Sequence, residues 1–195
     1  MSFPCKVIAF GISAGGLPPL KSILKMLPGD LNAALVIVPH LFPDYRSHLD
    51  AILENAVFRP VLRIYHGMHI VCGSIYVLPE GKILGIQDGA FILSERPETE
   101  KINQAIDHFF HAMAAEIGSQ SIGVILSGAG YDGIKGAKAI ENEKGVVIVQ
   151  DPATAEFPMM PQGLIAFDHP DYILTPEEIV NKLTALATAN SPQHQ

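Results

Sequence analysis

Three side chains of complementary chemistry each stand just beyond an apolar run. Gly11-Ile12-Ser13-Ala14-Gly15-Gly16 follows Val7-Ile8-Ala9-Phe10 and leads into an amphipathic segment that begins near Leu17. Its Gly-x-Ser-x-Gly pattern suits a nucleophile elbow, because flanking glycines let the backbone turn sharply and leave the serine Oγ exposed at a strand end. The helix that follows would bring free N–H groups and its positive dipole end beside that hydroxyl, where an oxyanion could be held. A serine nucleophile needs a base and an orienting acid. His40 stands after the apolar run 33–38 and Pro39, and Asp132 lies in Ser127-Gly128-Ala129-Gly130-Tyr131-Asp132-Gly133 after the run 122–126. If these strands are parallel, all three side chains emerge on one sheet edge, where open α/β sheets carry their sites.

Each piece also has a plainer reading. Glycine-serine turns bind phosphates or simply turn, and His40 is one of eight histidines. Gly128-x-Gly130-x-x-Gly133 matches a dinucleotide-binding turn, with Asp151 near the position of a ribose-binding acid. Against that reading, Asp132 would face the pyrophosphate from inside the turn, and like charges there are costly. In the competing reading Asp132 fixes the histidine tautomer and stabilises the imidazolium.

Hydrophobic spacing supplies the elements that must position these groups. Leu17, Leu20, Ile23, Leu24 and Leu27 recur at helical spacing, and Pro28-Gly29-Asp30 ends that run. The continuous run 33–38 suits a strand covered on both faces, stopped by Pro39. Phe42-Pro43-Asp44 predicts a helix start, with Leu49, Ile52 and Leu53 on one face. The short runs 61–64, 75–78, 83–86 and 91–93 alternate with turn signals and predict an antiparallel excursion attached to the main sheet. From Lys101, the residues Ile102, Ala105, Ile106, Phe109, Phe110, Met113, Ala114 and Ile117 predict a longer helix closed by Gly118. Asp107 is assigned a surface or helix-orienting role beside that stripe. A strand over 146–149 follows, then the Pro/Met-rich loop Phe157-Pro158-Met159-Met160-Pro161, suited to lining a pocket or capping a core. A short strand near 172–174 and a helix opened by Thr175-Pro176-Glu177-Glu178 complete the chain. The expected fold is α/β: a doubly wound, mainly parallel sheet flanked by helices, with an antiparallel hairpin excursion. It forms one domain over 1–195, with a core over about 5–187 and a frayed tail after Ala189.

Composition narrows the classes further. A net charge of −7 leaves no general basic surface for phosphate backbones, so nucleic acid is not the expected partner. No apolar run approaches the roughly 20 residues that span a bilayer, and no signal-like segment opens the chain, so membrane insertion is not expected and a cytoplasmic location is. Cys5 and Cys72 lack metal-ligand spacing and are read as separate small buried residues. His66-x-x-His69 lacks further ligands, so no metal and no cofactor is expected.

In order and spacing, the elbow at Ser13, Val38-Pro39-His40-Leu41-Phe42-Pro43, the segment 126–133, Gln150-Asp151 and Met160-Pro161 resemble the catalytic domain of the chemotaxis methylesterase family, CheB. The resemblance runs from about Val7 to Ile179. It implies a serine hydrolase that demethylates glutamyl methyl esters on chemoreceptor helices and in some members deamidates glutamines there. Carried over by position, Ser13 is the nucleophile, His40 the base and then acid, and Asp132 the orienting carboxylate. The N–H groups near Ala14 and Ala129 are candidates for the oxyanion hole, and Met160 for the substrate pocket.

Some positions depart from the family pattern. Ala14, Pro39, Ala129 and Asn103-Gln104 stand where the family commonly has Thr, Gln, Met and Arg-Pro, which leaves the triad intact and opens the question of substrate. The family usually carries an N-terminal receiver domain; none precedes the first strand in this sequence, so control by a separate receiver, another signalling protein or expression is expected. The acidic charge disfavours a glutamate-rich helix unless a local rim, near Arg46 or Lys135, offsets it. Alternative functions are a catalytically silent docking module for signalling proteins, an esterase for another acyl group, and a dinucleotide-dependent oxidoreductase.

Overall fold

The computed structural model describes residues 3–41, 46–97 and 99–188. Strand β1 (Lys6–Ile12) is followed by helix α1 (Leu17–Met26), β2 (Ala33–Pro39), α2 (Leu49–Glu54), β3 (Val61–Arg63) and β4 (Ile75–Val77). Strands β5 (Lys82–Gln87) and β6 (Ala90–Glu95) precede α3 (Ala105–Ile117), β7 (Ser121–Ile125), α4 (Ile134–Asn142) and β8 (Val146–Gln150). Helix α5 (Met159–Phe167), β9 (Tyr172–Leu174) and α6 (Pro176–Thr188) complete the order.

Seven strands form one sheet in the order β3-β4-β2-β1-β7-β8-β9, and every pairing in it is parallel. Alternate side chains of β1 bury into opposite faces. Val7 and Ala9 join the core beneath α3 and α4, while Ile8, Phe10 and Ile12 join the core beneath α1 and α6. This two-sided burial explains why β1 and β2 read as unbroken apolar runs. The doubly wound expectation is met, and β1 is the point at which the strand order departs in both directions. Open α/β sheets bind ligands at such a switch, beyond the carboxyl ends of the strands.

The structure corrects several local readings. Of the four short runs expected to form an antiparallel excursion, β3 and β4 join the parallel sheet, and only β5 and β6 pair antiparallel, as a separate two-stranded sheet. The long helix begins at Ala105, and Ile102, counted in its apolar stripe, is 73% exposed. The Phe42-Pro43-Asp44 helix start lies outside the described residues, as does the tail after Ala189; in α2 Leu49 and Leu53 are buried while Ile52 is exposed. The Pro/Met-rich run opens α5 rather than forming a loop, since proline in a first helical turn loses no helical hydrogen bond. Thr175 and Glu178 form the expected reciprocal cap on α6, with Glu178 Oε2 accepting from the Thr175 N–H at 2.9 Å.

Cys5 and Cys72 are joined in a disulfide across 67 positions, which overturns their reading as two separate residues. The bond ties the entry of β1 to the loop before β4. Closing a loop of this length stabilises the fold by on the order of 4 kcal/mol in the chain-entropy account. Among the described residues no helix is long and apolar enough to cross a membrane.

Candidate active site

Ser13 leaves β1 at the carboxyl edge of the sheet. Its own N–H donates to the Ser127 carbonyl at 3.2 Å, tying the elbow to the second glycine turn, and its carbonyl accepts from the Gly16 N–H at 3.0 Å. Gly15 turns the chain with φ of 67°, a conformation that side chains rarely adopt. Gly128 packs directly on the serine: a Cβ added there would lie 2.9 Å from Ser13 Cβ and collide with Met160 Sδ. The glycine in the second turn is therefore a condition for seating Ser13.

His40 follows β2, and its N–H donates to the Ile12 carbonyl at 3.0 Å, which holds the two strand ends side by side. Its Nε2 lies 2.6 Å from Asp132 Oδ2. A carboxylate accepts only, so Nε2 is the protonated nitrogen and Nδ1 carries the lone pair. Asp132 is buried and held by the first turn of α3: Ile106 N–H donates to Oδ2 and Asp107 N–H to Oδ1, both at 2.9 Å. Those amides belong to the four at a helix start that have no partner within the helix, and the dipole there favours negative charge.

Ser13 and His40 open together into a cleft of about 640 Å³, shared with Ala14, Arg96, Lys101 and Asn103. Among the described residues no intramolecular acceptor takes the Ala14 or Ala129 N–H; Ala14 lines the cleft, while Ala129 is not among its lining residues. Met160 is only 1% exposed and supports the turn from beneath, its N–H donating to the Gly128 carbonyl at 3.0 Å. The basic groups that reach the cleft are Arg96 and Lys101. The two positions anticipated for a basic rim lie elsewhere: Arg46 is exposed, and Lys135 lines a different pocket with Tyr131 and Phe167.

Two further groups support these turns, and for Asp107 the helix-orienting reading fits while the surface one does not. Asp107 is buried, not at the surface, and its Oδ1 accepts from the Gly133 N–H at 3.1 Å and the Gly136 N–H at 2.8 Å, fixing the start of α4. Burial pushes its carboxyl above the usual carboxylate range, and the neighbouring Asp132 charge adds to this, while the Gly136 and Gly133 amides oppose it. Ser127 is the other. Its N–H donates to Gln150 Oε1 at 2.9 Å, and its Oγ donates to the Ala14 carbonyl and accepts from the Phe157 N–H. Polar residues ending apolar strands were the available signal for both Ser127 and Gln150.

The remaining candidates are engaged locally. Asp151 Oδ1 caps a short turn by accepting from the Ala153 N–H, and Asp132 is committed to His40 and α3, which leaves the dinucleotide reading without its acid. His66 Nδ1 lies beside the Leu93 backbone, and the described residues contain no group of three metal-ligating side chains.

A family model described as CheB methylesterase matches residues 8–183. A Leptospira interrogans protein named putative protein-glutamate methylesterase/protein-glutamine glutaminase is 33% identical, across 96% of this chain and 98% of its own. A Moorella thermoacetica protein named protein-glutamate methylesterase/protein-glutamine glutaminase is 32% identical across 94% of this chain, which spans only 44% of that relative's length. The crystal structure of the Thermotoga maritima CheB methylesterase catalytic domain superposes with a TM-score of 0.87 at 30% identity, covering 94% of this chain and all of that one. The chain belongs to the CheB methylesterase family.

Proposed function

We propose that this member of the family hydrolyses glutamyl methyl esters on chemoreceptor helices, with Ser13 as nucleophile, His40 as base and acid, and Asp132 as orienting carboxylate. The observation that carries the reading is the convergence of Ser13 and His40 on one cleft while a helix-held Asp132 fixes the imidazole from behind. Ser13 Oγ attacks the ester carbonyl as His40 Nδ1 takes its proton, and the Asp132 carboxylate stabilises the imidazolium. The Ala14 and Ala129 amides receive the oxyanion. Collapse of the tetrahedral intermediate expels methanol, which takes the proton from His40. Water then enters by the same route, and the glutamate carboxylate leaves with Ser13 restored.

The relatives' paired name also includes glutamine hydrolysis, and the same groups would serve it, with ammonia leaving in place of methanol. The partner implied is a methyl-accepting receptor helix, and a separate receiver or signalling protein is the proposed source of control.

Methanol release from methylated receptor helices, run beside Ser13→Ala and p-nitrophenyl acetate, tests the proposal. Ser13-dependent methanol is the expected result, with the alanine variant slower by at least about 10⁴-fold. Ser13-dependent turnover of the generic ester alone would move the substrate elsewhere. Turnover of neither would leave a docking module.

A further inference from the structure

The outer wall of the cleft carries two cations, Arg96 just beyond β6 and Lys101 five residues later, beside Asn103. Among the described residues, several nearby carboxylates are engaged elsewhere. Glu80 pairs with Arg63 at 2.5 Å, Glu95 pairs with Lys82, and Glu100 pairs with His108 at 3.1 Å. Asp132 is turned inward to His40. Among the described residues neither Arg96 nor Lys101 has a carboxylate within ion-pairing distance. On a chain with net charge −7, these two cations line the same cleft as the nucleophile. Clefts lined by one sign of charge concentrate ligands of the other.

We propose that Arg96 and Lys101 form a carboxylate-reading rim that favours an ester lying one helical turn from a free glutamate. Each demethylation on a helix would thereby improve the substrate for the next. The proposal rests on the methylesterase reading above. Hydrolysis adds water to a neutral ester and yields methanol, a carboxylate and a proton, so every turnover leaves a new negative charge on the substrate. Residues three or four apart on a helix share a face at about 5–6 Å, close enough for a carboxylate beside the reacting ester to meet the wall of the same cleft. Arg96 offers a planar fork that can grip both carboxylate oxygens, while Lys101 contributes a mobile point charge.

The test uses helical peptides with one glutamyl methyl ester and either Glu or Gln four residues away. The intact protein is expected to favour the Glu peptide by about fivefold in kcat/KM, carried by KM rather than kcat, with the preference shrinking as salt is raised. Arg96→Gln with Lys101→Gln should bring the ratio to about one. Arg96→Glu with Lys101→Glu should invert it in favour of a peptide with Lys at the reading position, an outcome that loss of folding cannot produce. Equal hydrolysis of both peptides by the intact protein, or a preference that survives the double Gln change, overturns the rim alone. Hydrolysis of neither peptide, with Ser13-dependent turnover of p-nitrophenyl acetate retained, overturns the methylesterase reading as well.

Discussion

Helix α4 has a carboxylate pair at each end, and the two pairs are solvated differently. At its N-terminus Asp107 takes the Gly133 and Gly136 amides, and beside it Asp132 takes two amides of α3 and the imidazole of His40. At its C-terminus Glu141 meets Asp168, which itself follows the last turn of α5, and a side-chain hydrogen bond between the two carboxyls needs one of them protonated. Burial and the Asp168 charge push the Glu141 carboxyl up to about 7. Helix starts offer donors and a positive dipole end; helix ends offer carbonyls and a negative one. At the N-terminal pair backbone amides oppose the rise that burial imposes on Asp107, whereas at the C-terminal pair burial and a second carboxylate raise Glu141 with no backbone amide set against them.

Changing each carboxylate in turn measures that contrast. The largest expected effect is Asp132→Asn, which keeps the shape but presents the wrong partner to Nε2; kcat on the methyl ester should fall by about 10⁴-fold with little change in melting temperature. Asp107→Ala comes next. It strands two buried amides and should cost about 3 kcal/mol in denaturant unfolding, whereas Asp107→Asn retains an acceptor and should cost less.

The pH dependence of stability gives a finer measure of the C-terminal pair. A carboxyl raised in the folded state holds a proton that the unfolded chain has released, so stability falls as pH rises from the ordinary value to the raised one. For Glu141 that window runs from about 4.5 to about 7. Glu141→Gln should flatten it, leaving the melting temperature unchanged near pH 5 and raising it slightly near pH 8, the smallest of these effects because the group is only part-buried and solvent screens it. A variant that melted lower at pH 8 than the parent would show that the C-terminal pair is not a liability.

The sequence made the central parts of the site legible because each follows a short, fully buried strand, and a strand between helices announces itself by an unbroken apolar run. Ser13, His40 and Asp132 needed only parallel pairing to fall on one edge. Asp107 was not legible in this way: helical periodicity assigns a face, while its value lies in amides 26 and 29 positions away. The three-residue strands β3 and β4 are too short for periodicity to tell parallel from antiparallel, so their neighbours' turn signals misled. Ile102 and Ile52 follow the helical spacing but point to solvent, since spacing carries no information about whether anything covers the end of a helix. Arg96 and Lys101 reach the cleft because β6 runs back toward the sheet edge, a placement that no local pattern encodes.

The Cys5–Cys72 bond also changes what counts as one molecule. Ser13 and His40 lie inside the covalent ring it closes, and Asp132 lies outside. A single cut anywhere between those cysteines leaves both pieces attached, so the nicked protein runs as one band on a denaturing gel until a reductant is added. The nucleophile and its base would then separate from each other only when the cut falls between them and the ring is opened.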